Sequence, residues 1–241
     1  MTSVAMNLLL LTPDDCPEPG LARIDGRRLL HIRQVHRAEA GDSLRVGLVG
    51  GLMGSARIAT LSRDEAVLEF ALDQAPPAKL PLTLLLALPR PKMLKRVLQT
   101  IAAMGVQRLV LLNSYRVEKS FWESPWLEPA SVREQLLLGL EQARDTVLPD
   151  VRLEPLFKPF VEDRLPALCQ GSRCLVAHPA AAVTCPVALD EPASLAIGPE
   201  GGFIPYEIEK LEEAGFQAVE IGPRILRVET AVTALVARLF A

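Results

Sequence analysis

The sequence has few residues of the kinds that hold metals or form disulfides, and it lacks a long apolar run. Its four cysteines include no C-x-x-C pair and its three histidines are scattered, so we expect no metal site and reduced core thiols. No uninterrupted apolar run approaches the roughly 18 residues that a membrane helix needs. The segment Met1–Leu11 has neither a basic region nor a small-residue cleavage site. We therefore expect a cytoplasmic protein with no membrane partner.

The sequence also lacks the G-x-G-x-x-G fingerprint and the Walker A pattern with its lysine. An enzyme that binds a small nucleotide or a phosphate is therefore a poorly supported alternative. Apolar residues make up 49% of the chain and charged residues 23%, which is the composition of a globular protein with a sizeable core. The net charge of −3 argues against indiscriminate coating of nucleic acid but permits a local basic face.

Such a basic face is expected in the first half of the chain. The range Arg23–Arg45 has six arginines against three acids, and Leu82–Trp126 has seven bases against two acids. The remainder, Leu127–Ala241, has ten bases against seventeen acids. A solvated surface explains such arginines about as well as a ligand does, so this pattern alone does not identify a partner.

The first 75 residues or so have short strands interrupted by glycines, at Gly41, Gly47, Gly50, Gly51 and Gly54, a pattern that predicts a small β-barrel or sandwich. The predicted strands are Met6–Leu11, Ser43–Val49, Ala56–Leu61 and Ala66–Leu72. Three prolines between residues 76 and 81 predict a linker. We expect domains at 1–75 and 82–241.

After the linker, apolar strands alternate with amphipathic helices, which predicts an α/β domain with a mostly parallel sheet. The predicted strands are Leu82–Leu88, Arg108–Leu112, Arg173–Ala177, Ser194–Ile197 and Ala218–Ile221. The predicted helices are Lys92–Met104, with Gly105 as its cap, Val132–Val147, Pro205–Ala214 and Thr230–Phe240.

Two glycine–proline loops follow apolar strands of this domain. Residues 197–202 read Ile-Gly-Pro-Glu-Gly-Gly, and residues 221–230 read Ile-Gly-Pro-Arg-Ile-Leu-Arg-Val-Glu-Thr. Glycines after strands let a ligand approach the backbone closely, and open α/β sheets bind ligands at the carboxyl ends of their strands. Prolines fix the loop before the ligand arrives, which reduces the ordering cost of binding. The two loops together predict a binding site.

These loops closely resemble the signature of the RsmE family of 16S ribosomal RNA uridine-N3 methyltransferases, in the SPOUT superfamily. Leu82–Val106, Glu141-Gln142 and Val176–Pro179 are similar to further family segments, and Arg33, Val35 and Arg37 resemble the arginine-containing helix of its N-terminal domain. The resemblance implies a PUA-like β-barrel followed by a parallel-sheet domain with a deep trefoil knot at its C-terminus. It also implies homodimers that form through the knotted domain.

The resemblance further implies that S-adenosyl-L-methionine is the methyl donor, that S-adenosyl-L-homocysteine is the product, and that 16S ribosomal RNA of the small subunit is the substrate. The implied cofactor-binding residues are Val176, His178, Ile197, Gly198, Pro199, Glu200, Gly201, Gly202, Ile221, Gly222, Pro223, Ile225, Leu226 and Arg227.

For RNA, the basic first half of the chain is expected to supply phosphate contacts. The candidates are Arg28, Arg33, Arg37, Arg90, Lys92, Arg116 and Lys119, together with Gln142 and Arg144. The last two belong to a segment that departs from the family pattern Glu-Gln-Ser-Gly-Arg. Here Asp145 stands at the arginine position, and Arg144 precedes it.

Methyl transfer to uracil N3 requires a proton acceptor, and Glu200 and Glu229 are the candidates. Arg227 and Arg224 are candidates to stabilise the negative charge that develops on the base. Each glutamate is also explained by capping of the helix that follows it. A non-catalytic RNA-binding or ribosome-assembly factor, and a related methyltransferase acting at another RNA position, remain open alternatives.

Overall fold

A computed structural model describes residues 7–240, apart from the side chains of Val35 and His36. Residues 1–6, which include the first residue of the predicted strand Met6–Leu11, lie outside the described part. The chain divides into two compact units. Unit 1 contains the residues up to Ala78 together with Leu136–Leu148, and unit 2 contains Lys79–Gln135 and Pro149–Ala241. The sequence predicted domains at 1–75 and 82–241. It did not predict that a later segment, Leu136–Leu148, belongs to unit 1.

Unit 1 is built on a five-stranded sheet in the order β1-β3-β4-β5-β2. Its strands are β1 (Leu9–Leu11), β2 (Leu21–Ile24), β3 (Ser43–Leu48), β4 (Met53–Leu61) and β5 (Ala66–Gln74). The pair β1 and β3 is parallel and the other pairs are antiparallel. Helix α1 (Gly26–His31) runs into a π-helical turn, Ile32–His36. The buried Leu29 of the helix and Ile32 of the turn belong to the apolar core of unit 1.

Two of the glycines that were expected to interrupt strands of unit 1 instead lie inside them. A β-carbon on Gly54, in β4, would lie 2.0 Å from the Ala71 carbonyl oxygen, and one on Gly47, in β3, would lie 2.6 Å from the Thr146 methyl group. Neither position has room for a side chain, so these glycines allow close packing rather than ending strands.

Unit 2 contains a six-stranded, fully parallel sheet in the order β11-β9-β10-β6-β7-β8. The strands are β6 (Leu80–Ala87), β7 (Val106–Leu112), β8 (Asp150–Glu154), β9 (Arg173–Ala177), β10 (Ala193–Ile197) and β11 (Gln217–Val219). Residues Leu82–Leu88 are all buried, as expected for a strand covered on both faces. The parallel α/β prediction is confirmed.

The helices are α2 (Pro91–Ala103), α3 (Pro129–Ala143), the short α4 (Phe157–Pro159) and α5 (Leu165–Leu168), α6 (Pro205–Glu213) and α7 (Val228–Phe240). Several expected boundaries differ from the observed ones, and two of these differences have a local cause. Strand β6 begins inside the predicted linker and carries a register irregularity between Leu80 and Thr83, where Pro81 cannot donate a ladder hydrogen bond. Helix α3 ends four residues early, because Arg144 adopts a left-handed conformation with φ 58°.

The segment between β9 and β10 runs along the C-terminal part of the chain. The backbone amides of Ala188 and Leu189 donate to the carbonyls of Arg238 and Leu239 in α7, at 3.0 and 2.6 Å. Arg238 Nε donates to the Cys185 carbonyl at 2.7 Å. Among the helices of residues 7–240, none combines the length and the apolar character that a membrane span requires.

Candidate functional site

Three neighbouring strands of unit 2 end at the same edge of the sheet. They are β9, β10 and β11, which pair in parallel, so their carboxyl ends at Ala177, Ile197 and Val219 lie side by side. The His178 amide donates to the Val219 carbonyl at 2.9 Å and joins two of the three strand ends. The two glycine–proline loops leave from this edge, where open α/β sheets bind ligands.

The first loop, residues 197–202, folds back on itself tightly. The Gly202 amide donates to the Pro199 carbonyl at 2.8 Å, and Gly202 has a φ of 73°. A β-carbon on Gly198 would lie 2.8 Å from the Phe203 nitrogen, so only glycine fits at the start of the turn. Backbone groups therefore line the inside of this loop.

The two loops and α7 enclose a cavity of about 380 Å³, within the usual range for small-molecule sites. Eleven of the predicted cofactor residues line it: His178, Ile197, Gly198, Pro199, Glu200, Gly201, Gly202, Ile221, Gly222, Ile225 and Leu226. Of the others, Val176 is buried in β9, and Pro223 and Arg227 are exposed outside the lining. Sequence reasoning did not assign the apolar residues Phe203, Val219, Val228, Ala231 and Leu235 to the site.

The second loop is held by a carboxylate that sequence reasoning missed. One Glu220 carboxylate oxygen accepts the Gly222 amide, and the other accepts the Thr184 hydroxyl at 2.9 Å. Gly222 has a φ of 130°, a conformation that L side chains rarely adopt. Glu220 thus fixes the loop at its glycine and itself lines the cavity. No local motif indicates this role.

A second missed carboxylate, Glu207 in α6, is 2% exposed. Its Oε1 accepts the Tyr115 amide at 2.7 Å and its Oε2 accepts the Ile204 amide at 2.9 Å. These bonds hold the loop after β7 beside the loop after β10. Arg116, which was expected to bind RNA, donates to the Gly201 carbonyl and lines the cavity.

The candidate catalytic acids are placed differently. Glu200 lines the cavity, and its carboxylate lies 3.8 Å from Arg90 Nε and accepts the Arg90 amide at 3.4 Å. Glu229, in the first turn of α7, is not among the lining residues. The hydrogen bond that Glu200 accepts comes from the Arg90 amide, and the carboxylate that accepts the Ile204 amide at the start of α6 is that of Glu207.

The two candidate arginines of the second loop also differ. Arg224 is exposed and lines the cavity. Arg227 is exposed and is not a lining residue, and its carbonyl accepts the Ala231 amide at 2.8 Å, within the first turn of α7.

The remaining RNA candidates are distributed over both units. Arg33, Arg37, Gln142 and Arg144 are exposed on unit 1, and Lys92 and Lys119 are exposed on unit 2. Arg28 is different, because its guanidinium makes two 2.6 Å bonds to the Asp15 carboxylate and a 2.9 Å bond to the Leu10 carbonyl. Within residues 7–240, no group of three or more His, Cys, Asp or Glu side chains is arranged to hold a metal ion.

Comparison with known proteins matches the family model "RNA methyltransferase domain" to residues 76–240. The chain is 29% identical over 241 residues to ribosomal RNA small subunit methyltransferase E of Treponema pallidum, covering 95% of this chain and 88% of the relative. It is 26% identical over 236 residues to the protein of the same name from Mycobacterium bovis, covering 94% and 88%.

Among solved structures, the chain is similar to a ribosomal RNA small subunit methyltransferase E from Neisseria gonorrhoeae bound to S-adenosyl methionine. The TM-score is 0.74 at 23% identity, covering 96% of this chain and 95% of that one. At that identity the likeness establishes a shared fold over nearly the whole chain.

Proposed function

The chain belongs to the RNA methyltransferase domain family, and from this membership we propose that it transfers a methyl group from S-adenosyl-L-methionine to 16S ribosomal RNA of the small subunit. We further propose that the acceptor atom is N3 of one uridine. The observation that carries the proposal is the cavity formed at the ends of β9, β10 and β11 by two glycine–proline loops.

The residues of this cavity fit the proposed cofactor. Close approach to backbone at Gly198, Gly202 and Gly222 provides hydrogen-bonding groups without side-chain interference. The apolar side chains of Phe203 and Leu235 offer contact surface of the kind that binds a planar base. When bound, S-adenosyl-L-methionine supplies an electrophilic methyl carbon on a sulfonium, and the S-adenosyl-L-homocysteine that remains is the product.

In this proposal the side chains of the chain itself act on the uracil. The reaction is a displacement in which positioning contributes much of the acceleration. The Glu200 carboxylate accepts the N3 proton, directly or through water. The Arg224 guanidinium stabilises the negative charge that spreads onto the base oxygens. Glu200 and Arg224 line the cavity. Glu229 and Arg227 do not, which supports the first two residues in these roles.

We also propose that unit 1 is a PUA-like barrel that binds the RNA and that the C-terminus of unit 2 is knotted. We propose further that the protein is a cytoplasmic homodimer. The knot is supported by the segment between β9 and β10. That segment bonds to α7 through Ala188 and Leu189 and to Glu220 through Cys185, as a loop around the C-terminal chain would.

The proposal is tested with small ribosomal subunits and free 16S ribosomal RNA from a strain that lacks this protein. Incubation with the purified protein and S-adenosyl-L-methionine, followed by nuclease digestion and mass spectrometry, should reveal one new N3-methyluridine. A methyl group on another atom or another nucleotide would support the alternative of a related methyltransferase that acts at a different RNA position. Calorimetry that detects no cofactor binding would instead support the non-catalytic RNA-binding factor.

A further inference from the structure

Unit 1 contains a second cavity, of about 230 Å³, that the proposed methyl transfer does not use. Its buried members are the apolar Leu9 of β1 and Ile32 of the π-helical turn. Its exposed members are polar or charged and come from β3 and from the residue after α3: Ser43, Arg45 and Arg144. Asn7 and Leu44, both partly exposed, complete the lining. The cavity therefore has an apolar interior and a polar entrance.

The entrance carries two positive charges and no lining carboxylate. In the part of the chain that the structure describes, no hydrogen bond or ion pair involves the guanidinium of Arg45 or of Arg144. Asp145, the acid next in sequence, is 4% exposed, does not line the cavity, and accepts the Val147 amide at 2.9 Å. Two guanidinium groups that line one cavity with no carboxylate in its lining are suited to bind an anionic group of a ligand.

The backbone conformation of Arg144 also supports a binding role for this cavity. Helix α3 ends at Ala143, and Arg144 follows with a φ of 58°, the left-handed conformation in which helices commonly end on glycine. An arginine is disfavoured there relative to glycine. Strained backbone conformations of this kind concentrate at binding and catalytic sites. Here the conformation belongs to an arginine at the entrance of a cavity that Arg45 also lines.

We propose that this cavity binds one unstacked nucleotide of the RNA substrate, an inference that rests on the proposed function. The volume lies below the 300–1,000 Å³ typical of larger ligands, which suits a fragment the size of one nucleotide. The base lies against Leu9, Ile32 and Leu44, with the Ser43 hydroxyl available to its edge, and its phosphate is held by Arg45 and Arg144. Unstacked bases bound in this way are the usual means by which proteins recognise single-stranded RNA.

The proposal is tested by measuring how the full-length protein binds a single-stranded uridine oligonucleotide over a range of salt concentrations. Arg45→Ala and Arg144→Gly should each weaken binding about five- to tenfold. Together, in the double variant, they should reduce the magnitude of the slope of log K against log salt by about 0.7, the value for loss of the one phosphate contact that the two arginines share on a single strand. Arg57→Ala is the matched control, because Arg57 is an exposed arginine of β4 in the same unit and does not line the cavity. It should leave affinity within about twofold and the slope unchanged.

Binding of a nucleotide and binding of a simple anion are separated by NMR. Uridine monophosphate should shift the amide signals of Ser43 and Leu44, and should shift them far less in Arg144→Gly. Equal shifts with inorganic phosphate would overturn the nucleotide in favour of an anion site.

Failure of the cavity and failure of the proposed function give different results. Suppose the wild-type protein binds both S-adenosyl-L-methionine and the oligonucleotide, while Arg45→Ala and Arg144→Gly bind RNA as well as Arg57→Ala does. The cavity is then not an RNA site, although the methyltransferase proposal stands. A wild-type protein that binds neither ligand would refute both.

Discussion

The Glu207 carboxylate accepts the backbone amide of Tyr115 at 2.7 Å, a bond between residues 92 positions apart in the chain. Its second oxygen accepts the Ile204 amide at 2.9 Å, so one buried carboxylate holds two loops beside the cavity at the ends of β9, β10 and β11. Arg116, next to Tyr115, is thereby kept on the Gly201 carbonyl. Buried acceptors that satisfy two backbone donors contribute most when their loss leaves those donors without partners.

We therefore expect Glu207→Gln to destabilise the protein although the side chain keeps its size. One carboxylate oxygen becomes an amide NH2 group, which faces a backbone N–H and leaves that donor unsatisfied. The expected loss is about 1–3 kcal/mol of unfolding free energy, measured by urea denaturation. Glu209→Gln, an exposed position on the same helix, should change stability by less than about 0.5 kcal/mol. Equal stability of the two variants would contradict the role of Glu207.

Glu220→Ala should loosen the second loop, because the Gly222 amide and the Thr184 hydroxyl lose their acceptor. A hydrogen bond to a charged group contributes about 1.5–3 kcal/mol. Loss of one that orders a binding loop should weaken S-adenosyl-L-methionine binding at least tenfold, since tenfold corresponds to about 1.4 kcal/mol. Isothermal titration calorimetry measures the change. Glu212→Ala, on the exposed side of α6 and away from the cavity, should bind as the wild type does.

The proton acceptor is identified by comparing Glu200→Gln with Glu229→Gln. If Glu200 takes the N3 proton, Glu200→Gln should lower the methylation rate by about 10²–10⁴-fold while cofactor affinity stays within several-fold. Glu229→Gln should remain active, because Glu229 does not line the cavity. Single-turnover transfer of a labelled methyl group to ribosomal RNA gives both rates. The reverse result would assign the proton transfer to Glu229.

The parts of the molecule that the sequence predicted well are those with local signals. Strand β9 was predicted at its observed bounds, Arg173–Ala177, because its last four residues are apolar. Both glycine–proline loops were placed at strand ends for the same reason, and most of their residues line one cavity. A glycine that follows an apolar strand can be recognised from the neighbouring residues alone. This part of the site could therefore be predicted without knowledge of contacts between distant residues.

The missed features depend on contacts between distant residues. Strand β8 is an edge strand with mostly exposed side chains, so its sequence, Asp-Val-Arg-Leu-Glu, has no apolar run. Glu207 and Glu220 resemble ordinary surface acids until the fold brings backbone amides to them. Arg28 resembled an RNA contact because the sequence does not show that Asp15 lies opposite its guanidinium.

Arg144→Gly should raise the unfolding free energy by up to about 1 kcal/mol. The left-handed conformation is unfavourable for a residue with a β-carbon, whereas glycine adopts it freely, although glycine also adds entropy to the unfolded chain. Arg133→Gly is the matched control, since it places a glycine at an exposed position inside α3, the helix that ends just before Arg144. It should lower the unfolding free energy by about 1 kcal/mol. Urea denaturation of the pair should therefore give changes of opposite sign, and a loss of stability in Arg144→Gly would contradict the prediction.

Asp15→Asn should destabilise the protein at neutral pH and remove part of its sensitivity to acid. Burial by itself raises the pKa of the Asp15 carboxyl, but bonds from the Arg28 guanidinium and from the Thr12 amide and hydroxyl outweigh it, so the pKa lies below its usual 3.8. A carboxylate with a lowered pKa contributes stability that is fully present above the unfolded value and is lost as the pH falls through the folded one. Breaking this largely buried pair from one side should cost about 3 kcal/mol at pH 7. The difference between wild type and Asp15→Asn should then shrink below about pH 4. Asp14→Asn, at the exposed neighbouring position, should follow the wild-type curve, and a pH-independent difference for Asp15→Asn would show that the charge of the pair is not what stabilises it.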